Sequence, residues 1–433
     1  MEGSSGFSDN RKDISIFSIY LINFFKIMKK LLPIFLLFWI VSCSEKPSQE
    51  LLLGEWRGEM QVSATERLPF NFSLSTNEID GYVLEIKNAD ERVKVDEITI
   101  KNDSIIIQMP VFEGYIAGTF TDTSITGEFI KESLERYVPF SANHGDERRF
   151  HVKEQAQHDV SGVWETSFDF DTDSPYVAKG IFYQSGNKLQ GTFRTTTGDY
   201  RYLDGVVDGD SIKLSTFDGA HVFLFTAKVT DSTMEGKFFS GNHSVESFKA
   251  SRNSAFELPD ANDLTFLKEG YDAFAFSFPD PSGKLVSLND ERFKDKVVLV
   301  QIMGTWCPNC LDETKFYVDY LKNNPHPKLE IVALAFEYAK TEEKAFLGIE
   351  RLKNRVGVEY PILLAQVGTS SKSKANEKLP MLNHVLSYPT TIYIDKKQGV
   401  RKIHTGFNGP ATGEKHEEFK REFSVTLEEL LAE

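Results

Sequence analysis

Apolar and polar residues alternate along the chain between residues 51 and 252, and glycine, aspartate and asparagine interrupt the alternation at short intervals. Examples are Tyr82–Ile86, Ser104–Ile107 and Val222–Phe225. A period of two residues, with turn-forming residues between the runs, is typical of antiparallel strands. The pattern therefore predicts an all-β antiparallel region in this part of the chain.

The same region contains a weak two-fold repeat. Gly54-Glu55-Trp56 recurs as Gly162-Val163-Trp164, and two other short motifs recur at nearly the same interval. Two copies, at 53–150 and 159–252, suit two small barrels or sandwiches, or one larger closed sheet. The alternative is that unrelated β-meanders resemble one another through their turn residues alone, so duplication is a hypothesis.

The pattern changes after a polar linker at 253–269. Val297–Ile302 is a continuous apolar run typical of a buried strand, and Leu311–Asn323 has helical spacing. Further strands are predicted at Ile331–Phe336, Pro361–Leu364, Thr391–Ile394 and Val400–Ile403, and further helices at Glu342–Arg355 and Phe419–Leu431. Strands that alternate with helices predict an α/β domain at 270–433, with a central mixed sheet flanked by helices.

The N-terminal segment has the features of a secretory signal. A short basic stretch, Met28-Lys29-Lys30, precedes the apolar run Leu31–Val41, which is shorter than the roughly 20 residues that a membrane span needs. The run ends in Ile40-Val41-Ser42-Cys43, which resembles a bacterial lipobox. That resemblance implies cleavage before Cys43, lipidation of its sulfur, and a tether at 44–52.

This interpretation places the start of translation at Met28 and makes residues 1–27 an upstream extension. A longer leader, an uncleaved anchor and an incidental cysteine at position 43 are the alternatives. The expected location is the bacterial cell envelope, lipid-anchored, with the domains outside the cytoplasm and facing the periplasm. The formal net charge of −15 argues against nucleic acid as a partner.

The chain has only three cysteines. Besides Cys43, they are Cys307 and Cys310, in the run Gly304–Cys310 between a predicted strand and a predicted helix. Two cysteines at this spacing can close a small disulfide, and the helix N-terminus stabilises the thiolate of the first. Cys307 is therefore predicted to attack a partner's disulfide and Cys310 to resolve the mixed disulfide.

A structural disulfide is the plainer alternative for this pair. A zinc site is disfavoured because it needs four ligands, whereas the chain has no second cysteine pair and no HExxH motif. We expect neither a metal nor another cofactor.

Tyr388-Pro389-Thr390-Thr391 stands immediately before a predicted strand. Together with the cysteine run, it resembles the thioredoxin fold of the membrane-anchored TlpA-like (ResA-like) thiol–disulfide oxidoreductases. The resemblance implies a cis Pro389 beside the cysteines, with Tyr388 as an adjacent substrate contact. It also implies that Glu313, three residues after Cys310, accepts a proton from that cysteine. The alternative for Glu313 is a solvated acid in the first helical turn.

Two further residues near the cysteines bear on this resemblance. Trp306 either shields the cysteines as a substrate contact or is an ordinary core aromatic. Gln301 departs from the buried aspartate that thioredoxins have six residues before the first cysteine, and this places more weight on Glu313. The resemblance covers residues 270–433 and implies nothing about the β region.

The expected function is reduction of disulfides in client proteins outside the cytoplasm. The resemblance suggests apocytochrome c as a client class and a DsbD-like membrane protein as electron donor. One alternative is a redoxin-type peroxidase, although Thr305 lies two residues before Cys307 where that motif has three. Another is a scaffold lipoprotein whose β repeats bind a partner, glycan or lipid.

Overall fold

The computed structural model describes residues 50–79 and 81–433. Within it, Glu50–Glu433 form one compact unit. The predicted signal segment, the start at Met28 and the lipidation site Cys43 lie outside the described residues. Across the two described ranges, no helix is long and apolar enough to span a bilayer. The same residues contain no cluster of three or more histidine, cysteine or acidic side chains that could hold a metal ion.

The first part of the β region is a nine-stranded antiparallel sheet with strand order β4-β3-β2-β1-β9-β8-β7-β6-β5. Alternate side chains of its strands point into one core, where Trp56, Phe70 and Phe72 are almost fully buried. The strands are β1 (Gly54–Gln61), β2 (Arg67–Asn77), β3 (Gly81–Asn88), β4 (Glu91–Val95), β5 (Glu97–Lys101), β6 (Ser104–Gln108), β7 (Tyr115–Phe120), β8 (Ser124–Lys131) and β9 (Arg136–His144).

The second part is also a nine-stranded antiparallel sheet, with order β11-β10-β18-β17-β16-β15-β14-β12-β13. An additional β11–β12 pairing curls it into a barrel-like shape around a core rich in phenylalanine. The strands are β10 (Gly162–Phe168), β11 (Tyr176–Ser185), β12 (Lys188–Thr195), β13 (Gly198–Asp199), β14 (Leu203–Asp208), β15 (Ser211–Phe217), β16 (Val222–Val229), β17 (Thr233–Ser240) and β18 (Ser244–Arg252). The prediction of an all-β antiparallel region is confirmed.

The two sheets share local geometry at the positions of the predicted repeat. The Trp56 indole donates to the Leu52 carbonyl at 2.9 Å, and the Trp164 indole donates to the Val160 carbonyl at 2.8 Å. The second sheet closes on itself, whereas the strand order of the first runs linearly from β4 to β5. Duplication of one ancestral unit stays a prediction.

The C-terminal part has the predicted mixed sheet with helices. Its order is β23-β22-β21-β24-β25, in which β22 is parallel to both neighbours and the pairs β21–β24 and β24–β25 are antiparallel. A small hairpin precedes it, formed by β19 (Ser277–Pro279) and β20 (Leu285–Ser287). The five sheet strands are β21 (Val297–Met303), β22 (Leu329–Phe336), β23 (Ile362–Gln366), β24 (Thr390–Ile394) and β25 (Val400–Thr405).

Four helices accompany this sheet: α1 (Pro308–Asn323), α2 (Glu342–Val356), α3 (Lys372–Lys378) and α4 (Glu414–Ala432). Every residue of β21 is buried, as expected for the central strand of a sheet covered on both faces. The short helix α3 was not predicted because its polar sequence has no apolar periodicity. The central strand β21 leads directly into the cysteine run, which therefore lies at the carboxyl end of a rigid strand.

Candidate active site

Cys307 and Cys310 form a disulfide at the start of α1, with their Cα atoms 5.2 Å apart. Cys307 is the N-cap residue of the helix, and its Sγ accepts a hydrogen bond from the Cys310 backbone N–H at 3.2 Å. Pro308 occupies the first helical turn, where its missing N–H removes no helical hydrogen bond. In the reduced protein the same N–H and the helix dipole favour a thiolate at position 307.

The Tyr388–Pro389 peptide bond is cis and lies beside this pair. The Tyr388 carbonyl oxygen is 3.4 Å from Cys307 Sγ. The structure therefore brings Tyr388 and Pro389 to the position that the resemblance implies, next to the first cysteine.

Trp306 is half-buried and held in place from two sides. Its indole donates to the Phe336 carbonyl at 2.9 Å, and its ring meets the Tyr388 and Tyr338 rings with centroids 5.5 Å away in both cases. The ring thus forms part of the wall beside Cys307. Whether a substrate contacts it stays a prediction.

Glu313 is fully buried one turn after Cys310. Its carboxylate accepts from the Gln301 amide at 2.8 Å and from the Thr391 hydroxyl at 3.0 Å. Burial raises the pKa of Glu313 to about 7, although these hydrogen bonds oppose the shift. This environment suits a group that exchanges a proton near neutral pH, and it does not match the solvated acid that was the alternative.

A second buried carboxylate, Glu337, was missed by the sequence analysis. It follows β22, is 3% exposed, and accepts from the backbone N–H and the hydroxyl of Thr305, both at 2.7 Å. Burial raises the pKa of Glu337 to about 7. The sequence does contain a signal that could have identified Glu337. It is an acidic residue directly after an apolar strand, at the sheet edge where the cysteines also lie.

The β region contacts the same site, and this was also not predicted. The turn between β12 and β13, together with β13 itself, packs on the cysteine loop, where the Asn309 amide donates to the Asp199 carbonyl of β13 at 3.1 Å. The Ser387 hydroxyl, one residue before Tyr388, donates to the Thr197 carbonyl at 2.7 Å. The turn therefore covers the face that contains the cysteine loop and the segment before Pro389.

Arg201 anchors this contact. Its guanidinium donates to the Pro308 carbonyl at 3.3 Å and pairs with Asp312 of α1, with Glu91 of the first sheet, and with Asp218 of the second sheet at 3.1 Å. The side chain is almost fully buried, and its neighbouring carboxylates keep the pKa of Arg201 well above its usual value against the effect of burial. One cation therefore joins both β sheets to the active-site helix.

Between this turn, the first β sheet and the cysteine loop lies a cleft of about 630 Å³. We call it the composite cleft, because both β sheets and the C-terminal part line it. From the C-terminal part it is lined by Trp306, Cys307, Asn309 and Tyr388 among others. Cys307 is 6% exposed, and it is one of the residues that line the composite cleft.

Comparisons with known proteins agree with this site. The family model named Redoxin matches residues 268–419. Thioredoxin-like protein YneN of Bacillus subtilis is 31% identical over 140 residues, which cover 32% of this chain and 73% of that protein. The thiol-disulfide oxidoreductase ResA of Bacillus subtilis is 27% identical over 140 residues, which cover 32% of this chain and 69% of ResA.

Solved structures also match. The structure of a thiol-disulfide oxidoreductase from Bacteroides fragilis is 17% identical in sequence, with a TM-score of 0.26. The alignment covers 34% of this chain and 99% of that chain. The match to the family model falls in the C-terminal part, which contains the cysteine loop and the cis proline. The chain belongs to the ResA-like family of thioredoxin-fold thiol–disulfide oxidoreductases.

Proposed function

We propose that the protein is a membrane-tethered reductase of disulfides in the bacterial cell envelope, anchored through Cys43 and acting through Cys307 and Cys310. The observation that carries the proposal is the position of Cys307 Sγ, at the cap of α1 and 3.4 Å from the carbonyl before the cis proline. A thiolate held there can attack a disulfide that lies along this segment.

The proposed reaction has two exchange steps. The Cys307 thiolate attacks one sulfur of the client, the client S–S bond breaks, a Cys307–client bond forms, and the released sulfur takes up a proton. Glu313 then accepts the proton of Cys310, whose thiolate attacks Cys307 Sγ and displaces the second client sulfur. The client gains two electrons, and the protein ends with the Cys307–Cys310 disulfide.

The peroxidase alternative receives no support from the site. In that chemistry a threonine hydroxyl supports the reactive thiolate, but the Thr305 hydroxyl donates to Glu337 at 2.7 Å. We therefore expect no turnover of hydrogen peroxide above that of a free dithiol, and rapid turnover would favour the peroxidase.

The variants Cys307→Ser and Cys310→Ser test the assigned roles. With pre-reduced protein and bis(2-hydroxyethyl) disulfide, a small neutral substrate, Cys307→Ser should lose reduction. Cys310→Ser should accumulate a mixed disulfide on Cys307 that mass spectrometry detects. Retained turnover in Cys307→Ser would refute the proposed roles.

The direction of electron flow follows from the equilibrium potential of the cysteine pair against glutathione. Thioredoxin lies at about −270 mV and the oxidant DsbA at about −120 mV. A value near the first supports a reductase supplied by a DsbD-like membrane donor, with apocytochrome c among the candidate clients. A value near the second would make the protein an oxidant.

The boundaries predicted from the sequence belong to the same proposal, with β units at 53–150 and 159–252 and the redox domain at 270–433. The tether at 44–52 would hold all three at the membrane surface. Labelling of cells with a radioactive fatty acid should mark the wild type and leave Cys43→Ala unmarked.

A further inference from the structure

The composite cleft carries an excess of positive charge in an acidic protein. Lys131 at the end of β8, Arg136 at the start of β9 and Lys372 at the start of α3 all line it. Among the residues that the structure describes, none of these three makes an ion pair with a carboxylate. Lys131 donates instead to the carbonyl of Ala220. The chain has a formal net charge of −15, so this concentration of unpaired cations is local.

Lys131 and Arg136 are charged at neutral pH, since arginine stays protonated in proteins. Burial lowers the pKa of Lys131 to about 8, which leaves most of its amines protonated at pH 7. Partial desolvation of the ring and the nearby charges of Arg136 and Lys131 lower the pKa of His243 to about 4. With this pKa, His243 is neutral at pH 7. It also lines the composite cleft, where Lys131 and Arg136 remain positively charged.

Two carboxylates line the composite cleft as well, but both already have donors. Asp199 accepts from the backbone N–H groups of Arg201 and Gly409, and Glu246 accepts from the Tyr176 hydroxyl at 2.6 Å. Burial raises the pKa of Asp199 to about 6 and also raises that of Glu246. Neither group forms an ion pair with Lys131, Arg136 or Lys372, and the more distant carboxylates Asp218 and Glu113 only partly offset the effect of burial on the pKa of Lys131.

The wall beside the cysteines offers an unsatisfied polar group. Tyr388 is 7% exposed and lines the composite cleft, and its hydroxyl has no hydrogen-bond partner in the described part of the chain. A buried hydroxyl without a partner costs free energy that a ligand carrying an acceptor would recover. The backbone carbonyl of the same residue lies 3.4 Å from Cys307 Sγ.

Access to Cys307 is restricted from the other side. The β12–β13 turn accepts a hydrogen bond from Ser387, and β13 accepts one from Asn309, so these two segments cover the face beside the cysteine loop. A substrate therefore reaches the sulfur through the composite cleft. Its volume of about 630 Å³ falls within the roughly 300–1,000 Å³ typical of small-ligand pockets.

We infer that the β region completes the substrate site and that the composite cleft selects disulfides flanked by carboxylates, with Lys131 and Arg136 as specificity-determining residues. This inference rests on the proposed function. The chemistry is the exchange described above, in which two electrons pass from the cysteine pair to the anionic disulfide and two thiols are released. The anionic disulfide is either a small dicarboxylate or a flexible acidic peptide segment that can enter the cleft.

Three small disulfides of similar length test the selectivity: 3,3′-dithiodipropionate with two negative charges, bis(2-hydroxyethyl) disulfide with none, and cystamine with two positive charges. Each disulfide is mixed with pre-reduced protein, and the single-turnover rate of its reduction is measured. This rate is divided by the rate at which dithiothreitol reduces the same disulfide, which corrects for the intrinsic reactivity of that disulfide. We expect a preference for the dianion over the dication on the order of tenfold at low ionic strength. Because exposed charges are screened over about 10 Å at 0.1 M salt, added salt should reduce the preference.

The double variant Lys131→Met/Arg136→Gln should bring the anion-to-cation ratio close to one. The matched control Lys213→Met/Arg421→Gln removes the same charge from exposed positions outside the composite cleft and should retain the wild-type ratio. Tyr388→Phe, which removes only the unpartnered hydroxyl, should lower the rate with the dianion more than the rate with cystamine. This third variant keeps the test decisive if the double variant does not fold.

Equal normalised rates for the three disulfides in the wild type would overturn the inference, as would an equal loss of preference in the cleft and control variants. If the wild type reduced all three equally, the proposed reductase would stand without the selectivity. If it reduced none, the proposed reductase function itself would be refuted.

A peptide disulfide whose cysteines are flanked by aspartate distinguishes an acidic protein segment from a small dicarboxylate as the natural substrate. A rate matching the small dianion supports an acidic protein segment, and a rate at least about tenfold lower, with selectivity retained for the dianion, supports a small molecule.

Discussion

The buried carboxylate of Glu313 should make the folding stability depend on pH. The variant Glu313→Gln should remove the part of this pH dependence that comes from Glu313. Burial raises the pKa of Glu313 from 4.5 to about 7. Between these values the folded protein binds more protons than the unfolded chain, so stability falls as pH rises. The contribution is fully present below pH 4.5 and is lost as pH rises through 7.

The magnitude follows from the same two pKa values. A shift of one pKa unit corresponds to about 1.4 kcal/mol, so the full effect of Glu313 is about 3 kcal/mol, of which about 2.5 kcal/mol falls between pH 5 and pH 8. Glutamine keeps the shape and an acceptor for Gln301, and the Thr391 hydroxyl can turn to accept from the new amide. The variant should therefore lose less stability than the wild type over this range.

The assay is urea unfolding of the oxidised protein at several pH values. The disulfide removes thiol titration from the comparison. The difference in unfolding free energy between wild type and Glu313→Gln should change by about 2.5 kcal/mol from pH 5 to pH 8. Glu428→Gln, an exposed glutamate of α4, is the matched control and should follow the wild type. Parallel curves for Glu313→Gln and wild type would refute titration of this carboxyl near neutrality.

Three more outcomes are expected from the same unfolding measurements. Arg201→Met leaves one buried and two partly buried carboxylates without their cation and should cost about 3–5 kcal/mol, whereas a cost below 1 kcal/mol would show that the cluster does not hold the parts together. Gly198→Ala should cost about 1–3 kcal/mol, because Gly198 has a φ of 138° and a Cβ there would overlap the Asn309 amide. Glu337→Gln should reduce the loss of stability above pH 5 as Glu313→Gln does, because burial also raises the pKa of Glu337 to about 7. The effects of the two glutamine variants should add, and an unchanged pH profile in Glu337→Gln would mean that its carboxyl does not titrate in this range.

The parts of the fold that local pattern determines were predicted from the sequence. Apolar periodicity located β21, β22, α1, α2 and α4 to within a few residues. The cysteine spacing and the Tyr-Pro-Thr-Thr motif located the two segments of the site, because the local geometry of each segment depends on only a few adjacent residues.

The missing parts of the site depend on contacts between distant positions. Arg201 meets Asp312 across more than one hundred residues, and nothing in its neighbourhood marks it as an active-site residue. The turn between β12 and β13 is an ordinary polar turn until the fold places it on Asn309. Glu337 becomes a buried acid only because Thr305 returns to the same sheet edge. Periodicity reports which face of an element is buried, but not which element covers it.

The position of Arg201 bears on whether the β region acts as a spacer or as part of the enzyme. A spacer would touch the redox domain through a hydrated, replaceable surface. Instead, a buried cation is shared between Glu91, Asp218 and Asp312, and separating the parts would leave buried charges without partners. The same arrangement holds the β12–β13 turn over the cysteine loop, and Lys131 and Cys307 line the same cleft. The geometry that binds the β region to α1 is therefore also the geometry that decides which disulfides reach the sulfur.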